Sequence, residues 1–221
     1  EQGRAYARKL ADYAEECICQ DEEGKPVAAR LWTSSLKRTM QTAAYIRHPK
    51  LKLKHGGEWI QMSQRVYRNL DELYAGVCDG MTYKEIEEQY PEEYRRRKED
   101  KLFYRYPRGE SYLDVISRLD PLVHEIESYR EPLLIVGHQV CRGKQRPWLL
   151  ATSHTIVVQF VQAVLRLIYA YFTGVDRDKA SRLSIPLNTV IKLTPRTYEC
   201  VEERIELQPE DYSGSAEPPS H

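Results

Sequence analysis

The run Pro132-Leu133-Leu134-Ile135-Val136-Gly137 constrains the fold of this chain more than any other stretch. It is a short, continuous apolar segment closed by glycine, the pattern of a strand buried on both faces inside a parallel sheet. Such a sheet needs helices over both faces, so the fold class predicted is α/β, in layers. His138 follows at once, at the carboxyl end of that strand, where open α/β sheets place their ligands.

The rest of the sequence supplies the helices. From Gly3 to Cys17 the apolar positions recur at helical spacing, and Asp21 to Pro26 ends the helix. Val27 to Trp32 reads as a strand, Thr33-Ser34-Ser35 as hydroxyl caps, and Leu36 to Ile46 as a helix stopping before His48-Pro49. Residues 54–70 fit neither period. Thr82 with Glu85 forms a capping box for a helix running toward Tyr90, and Ser111 with Asp114 opens another whose stripe is Val115, Leu119, Leu122, Val123 and Ile126. Residues 163–173 read as the helix after the buried strand, and Asn188 to Leu193 with Tyr198 to Leu207 as an antiparallel pair at the sheet edge. The tail 208–221 is expected to be disordered.

Charge narrows the function. Lys plus Arg number 33 and Asp plus Glu 33 in 221 residues, which gives no electrostatic case for nucleic acid. The five cysteines, Cys17, Cys19, Cys78, Cys141 and Cys200, are odd in number and contain no CxxC pair, so a reduced cytosolic protein without a metal site is expected. No secretory signal opens the chain, and Glu1 in place of Met suggests a piece of something longer. Phosphate-loop, dinucleotide, zinc-protease and serine-hydrolase signatures are absent. Thr155 to Phe172 is largely apolar, but Gln159, Gln162 and Arg166 within it argue against a membrane span.

Three residues stand out for chemistry. Arg38 lies on the first turn of a helix that follows a strand, where the backbone already favours anions and a guanidinium can grip phosphate in bidentate fashion. Glu72, on a loop, can donate a proton to a leaving oxygen, and His138 can touch a phosphoryl group in transfer. Between Tyr94 and Tyr112 cations alternate with phenols, which suits a polyanionic, hydroxyl-rich ligand and equally a solvated helical face or an RNA-stacking surface.

In order, the strings TSSLKRTMQTA, LDELYAGVCDGMTYKEIEEQYPEEY, DKLFYRYPRGESYLDV, IVGHQ, AVLRLIYAYF and PLNTVIKLTP closely resemble the bisphosphatase domain of the bifunctional 6-phosphofructo-2-kinase/fructose-2,6-bisphosphatase family, within the phosphoglycerate-mutase-like histidine phosphatases. The resemblance implies a three-layer fold with a mostly parallel sheet flanked by helices. It also implies hydrolysis of fructose 2,6-bisphosphate to fructose 6-phosphate through a phosphohistidine, without metal or other cofactor. Arg38 would bind the 2-phosphoryl group, Glu72 would be the general acid, and His138 would stabilise the phosphoryl group. Tyr83, Arg97, Lys101, Tyr112, Gln139 and Arg166 would hold the rest of the substrate. The partners implied are an ATP-binding kinase half and a homodimer formed through it.

Two departures qualify that picture. The family's nucleophile sits in an Arg-His-Gly-Glu motif on a strand, and none of the six histidines here lies in one. The chain is therefore expected to be an incomplete domain over residues 1–207, inactive alone, with its first strand missing and a gap at the centre of its sheet. Residues 140–162 interrupt what the family runs together as HQAVLR. This 23-residue stretch is expected to be an aberrant insert, and translation of an intron fits its whole number of codons. The alternatives are a non-catalytic sugar-phosphate-binding or interaction module, and another phosphatase or mutase of the superfamily.

Overall fold

The computed structural model describes residues 2–137, 156–159, 162–185 and 189–207. Helix α1 (Gln2–Tyr13) widens into one turn, Ala14–Ile18, in which the Cys19 N–H reaches the Ala14 carbonyl five residues back at 2.9 Å. Then come β1 (Arg30–Thr33), α2 (Lys37–Ala43), β2 (Lys50–Lys52), β3 (Glu58–Ile60) and β4 (Gln64–Val66). The middle of the chain holds α3 (Tyr83–Gln89), α4 (Pro91–Glu99), α5 (Tyr112–Ser128) and β5 (Leu133–Val136). It closes with β6 (Ile156–Gln159), α6 (Gln162–Thr173), α7 (Arg177–Ala180), β7 (Thr189–Pro195) and β8 (Cys200–Glu206).

Six strands form one sheet in the order β4-β1-β5-β6-β7-β8, with the first four parallel to one another and β7 antiparallel to both of its neighbours. As its apolar run requires, β5 is buried at every position and paired on both edges. Alternation along the strands sends Trp32, Leu133 and Ile135 into a core with Val115, Leu119, Leu122 and Ile126 of α5 and Val164 and Ile168 of α6. Leu31, Leu134 and Val136 point the other way, toward Tyr6, Leu10 and Ala14 of the first helix and Ala43 and Ile46 at the end of α2. Two apolar layers on opposite sides of one sheet make the three-layer α/β architecture, and each buried aliphatic side chain contributes about 1.5–3 kcal/mol.

Both capping boxes form as the sequence predicts, Thr82 with Glu85 and Ser111 with Asp114. Elsewhere the structure corrects the reading. The first strand starts at Arg30, three residues later than expected. No hydroxyl caps α2: Leu36 occupies the cap in an extended conformation, and the Ser34 and Thr39 hydroxyls instead lie 2.9 Å apart in the interior. Residues 54–70, without a clear period, hold the short strands β3 and β4 and a tight turn, Arg68–Leu70. The gap expected at the centre of the sheet is filled by β6, which comes from within 140–162 and pairs with β5 on one edge and β7 on the other. Ile156-Val157-Val158 is a β-branched run, suited to a strand, and as a strand it hydrogen-bonds edges that would otherwise be open. His138, Gln139, residues 140–155 of the expected insert and the tail from Gln208 lie outside the described residues. Among those described, no helix is long and apolar enough to cross a membrane.

Two loops that border the carboxyl ends of the strands pack backbone to backbone. The Val77 N–H donates to the Pro107 carbonyl at 3.1 Å, the Glu110 N–H to the Tyr74 carbonyl at 2.8 Å, and the Tyr74 N–H to the Glu110 carboxylate at 3.0 Å. Glycine is required on both sides. Gly76 has φ of +56°, and a Cβ on it would lie 2.1 Å from the Pro107 carbonyl oxygen, while one on Gly109 would lie 2.6 Å from the Tyr74 carbonyl oxygen. Gly80, with φ of +83°, has open space around it. Gly80→Ala should therefore cost about 1–2 kcal/mol, from the left-handed backbone alone. Gly76→Ala should cost more than about 3 kcal/mol because a loop must also move. Urea denaturation of the two variants checks this, and equal losses would show that the loops are not held together in this way.

Candidate active site

The site is organised around Tyr112, the first residue of α5, placed there because Ser111 caps the helix. Its side chain is 2% exposed, and its hydroxyl accepts a hydrogen bond from Arg166 Nη1 at 3.0 Å. The Arg97 guanidinium carbon stands 5.8 Å from the Tyr112 ring centroid and 5.1 Å from that of Tyr106, and Lys101 Nζ stands 6.0 Å from the Tyr112 ring. Three cations thus converge on one phenol from the last turn of α4, the loop after it and the middle of α6.

Like charges held this close repel. Burial, first, and then the charges of Arg166, Arg97 and Arg182 lower the Lys101 ammonium pKa to about 8. Burial pushes the Tyr112 phenol upward, Arg166 and Arg97 oppose that, and the nearby Glu72 carboxylate adds to it. Burial also raises Tyr106, to about 12. Arg97 Nη1 and the Tyr106 hydroxyl are buried without a hydrogen-bond partner among the described residues. Each such orphan costs about 1–3 kcal/mol, which an oxygen-rich anion seated there would recover.

Glu72 reaches this site through a chain of supports that the sequence reading missed. The Asp71 carboxylate accepts from the Ser35 N–H at 2.7 Å and the Ser35 hydroxyl at 2.6 Å, which ties the 71–72 loop to the carboxyl end of β1. Arg118 of α5 donates to the Asp71 carbonyl at 2.6 Å and to Glu110 at 2.9 Å. The Glu72 carboxylate itself accepts from the Leu73 N–H at 2.8 Å. Arg38 sits on the first turn of α2, three residues after Ser35, with an exposed side chain. Tyr83, at the start of α3, is 61% exposed and lies near enough to Tyr106 to influence its titration, so it stands at the rim.

The alternation of cations and phenols between Tyr94 and Tyr112 resolves residue by residue. Arg95 pairs with Glu92 and Glu99, Arg96 with Glu92, and Arg105 with Asp114, so these form a solvated face. Arg97 and Lys101, with no carboxylate partner among the described residues, belong to the site. A separate cleft of about 760 Å³ lies at the amino ends of β1 and β5. Glu16, Asp21, Glu22, Glu23 and Glu131 line it against Arg130 and Lys192, a balance that disfavours phosphate. The described residues include no His/Cys/Asp/Glu group able to hold a metal ion.

Known proteins resemble this chain in sequence and in fold. Fructose-2,6-bisphosphatase of Saccharomyces cerevisiae is 42% identical over 198 residues, covering 90% of this chain and 34% of that protein. A 6-phosphofructo-2-kinase/fructose-2,6-bisphosphatase of Arabidopsis thaliana is 39% identical over 206 residues, covering 93% of this chain and 22% of that protein. The chain therefore spans about a third or less of the length of these relatives. In fold it is similar to the alpha-ribazole phosphatase of Shigella flexneri, with a TM-score of 0.61 at 13% sequence identity over 92% of this chain and 81% of that one. The model of the histidine phosphatase superfamily (branch 1) matches residues 1–142, and the chain belongs to that superfamily.

Proposed function

We propose that this chain carries the sugar-bisphosphate site of a fructose-2,6-bisphosphatase, the phosphatase part of a longer protein whose other half is a 6-phosphofructo-2-kinase. The observation that carries the reading is the cluster of Arg97, Lys101 and Arg166 on Tyr112, two of whose cations have no carboxylate partner among the described residues. Repelling cations gathered in one place are destabilising unless opposite charge offsets them, and an anion of high charge seated between them supplies it. The relatives' names supply the anion class, a fructose bisphosphate.

In this reading Lys101, Arg97 and Arg166 grip the phosphate remote from the reaction, Tyr112 and Tyr83 meet the sugar, and Gln139 completes that group. Arg38 and His138 hold the phosphoryl group being transferred, and Glu72 protonates the departing sugar oxygen. The nucleophile of a phosphohistidine route must be a further histidine, and this chain has no Arg-His-Gly-Glu sequence to provide it. The isolated chain accordingly binds its substrate and does not turn it over.

Calorimetry with fructose 2,6-bisphosphate, alongside a phosphate-release assay, tests both halves of the proposal. Binding is expected, and Lys101→Met should weaken it roughly 10- to 100-fold, the worth of one charge-assisted hydrogen bond. No phosphate should be released. Absence of binding overturns the site assignment, and release that survives purification and disappears in His138→Ala overturns the claim of no turnover.

The titration of Lys101 gives a second test. Its pKa in the fold, about 8, lies below that of an exposed lysine. The empty site therefore strains the fold fully below pH 8, and the strain fades as the amine deprotonates toward the unfolded-state pKa of about 10.4. A bound bisphosphate reverses the balance by favouring the ammonium, so affinity should hold below pH 8 and decline above it. Near pH 8 binding should take up protons, seen as a dependence of the calorimetric heat on buffer ionisation enthalpy. Lys101→Met should abolish that uptake, and an uptake unchanged in the variant would place the titrating group elsewhere.

A further inference from the structure

Arg182 is a residue that neither the motifs nor the resemblance single out. It lies in the turn that leaves α7, where its own N–H donates to the Lys179 carbonyl at 3.0 Å and the preceding Ser181 is buried. That turn is bound to the site directly, because the carbonyl of the next residue, Leu183, accepts the Nε–H of Arg166. Arg166 thus holds Tyr112 through one nitrogen and the Arg182 turn through another.

The side chain of Arg182 is exposed and makes no ion pair with a carboxylate among the described residues, whereas Lys179, one turn earlier, pairs with Asp176 at 2.7 Å. Its charge is felt at Lys101, together with those of Arg166 and Arg97. Arg182 therefore belongs to the end of the site that Lys101 and Arg166 form. The groups facing Lys101 are therefore Arg97 from α4, Tyr112 from α5, Arg166 from α6 and Arg182 from the turn after α7.

We propose that Arg182 is a fourth cation of the anion site, supplying a guanidinium to the terminal phosphate that Lys101, Arg97 and Arg166 hold, and so a determinant of preference for phosphorylated sugars. This rests on the sugar-bisphosphate reading given above. Four cations on one phosphate group exceed what a monoanion needs and match a dianion flanked by sugar hydroxyls. The turn carries the side chain at the edge of the site, where it can close over the ligand without rebuilding a helix.

Fructose 6-phosphate, which keeps the terminal phosphate and lacks the one at carbon 2, separates the two ends of the site. Arg182→Gln should weaken fructose 2,6-bisphosphate and fructose 6-phosphate by the same factor, about tenfold, while Arg182→Lys keeps most of the affinity. Thermal unfolding of the glutamine variant should come no lower than that of the parent chain, since the side chain makes no ion pair among the described residues and its loss relieves repulsion. Removal of one repelling charge should also move the titration of Lys101 upward, read from the pH dependence of its reductive methylation by mass spectrometry. Unchanged affinity for both sugars, or a loss confined to the bisphosphate, would overturn the assignment, the second by placing Arg182 at the reacting phosphate. Should the parent chain bind neither sugar, the sugar-bisphosphate reading itself falls and this assignment with it. Binding by the parent with an indifferent Arg182→Gln sinks the assignment alone.

Discussion

Mutual repulsion among cations gathered on one buried phenol is the constraint that explains the site end of this fold. Isolated guanidinium and ammonium groups next to each other in a partly buried place are costly, and a chain keeps them only with carboxylates beside them or a ligand between them. Elsewhere on the molecule the first solution is common. Arg95, Arg96, Arg105, Arg118, Lys179 and Lys192 all have acidic partners. Around Tyr112, Arg97 and Lys101 have no such partner among the described residues. Overall neutrality, 33 basic against 33 acidic side chains, conceals this local imbalance.

Holding such a cluster in place requires rigid supports, and the structure provides them with backbone groups. The capping box at Ser111 fixes the first turn of α5 and hence Tyr112. Gly76 and Gly109 let two loops meet backbone to backbone, and Arg118 binds the loop that carries Glu72 to the same helix. These account for every residue of the YPRGESY string but Arg108. Tyr106 is buried beside Arg97, Pro107 offers a carbonyl to Val77, Gly109 permits the contact, Glu110 grips Tyr74, and Ser111 caps the helix under Tyr112.

Much of this was legible in the sequence where one local interaction decides the outcome. The β5 strand, the two capping boxes, the stripe of α5 and the terminal antiparallel pair follow from periodicity and caps, and all are present. Where tertiary contacts decide, periodicity fails. The hydroxyls of Ser34 and Thr39 serve the interior rather than the end of α2, and the strands β3 and β4 are too short to show alternation. The position of β6 between β5 and β7 could not be read from residues that resemble nothing in the family. At the site, Arg97 and Lys101 are distinguished from Arg95 and Arg96 by the face of α4 and its continuation, which the alternation of charges and phenols does not reveal. Arg182 carried no sequence signal, because its place near the site is set by a turn that Arg166 binds.

The central claim is that Arg97 and Lys101, which pair with no carboxylate among the described residues, form with Arg166 the proposed seat of a phosphorylated sugar. A crystal structure of the chain with fructose 2,6-bisphosphate tests it most directly. The account predicts one phosphate within about 3 Å of Lys101 Nζ and an Arg97 nitrogen, with Arg166 still bonded to the Tyr112 hydroxyl. A ligand that settles in the acidic cleft at the amino ends of the strands, or that leaves Lys101 and Arg97 untouched, would contradict it.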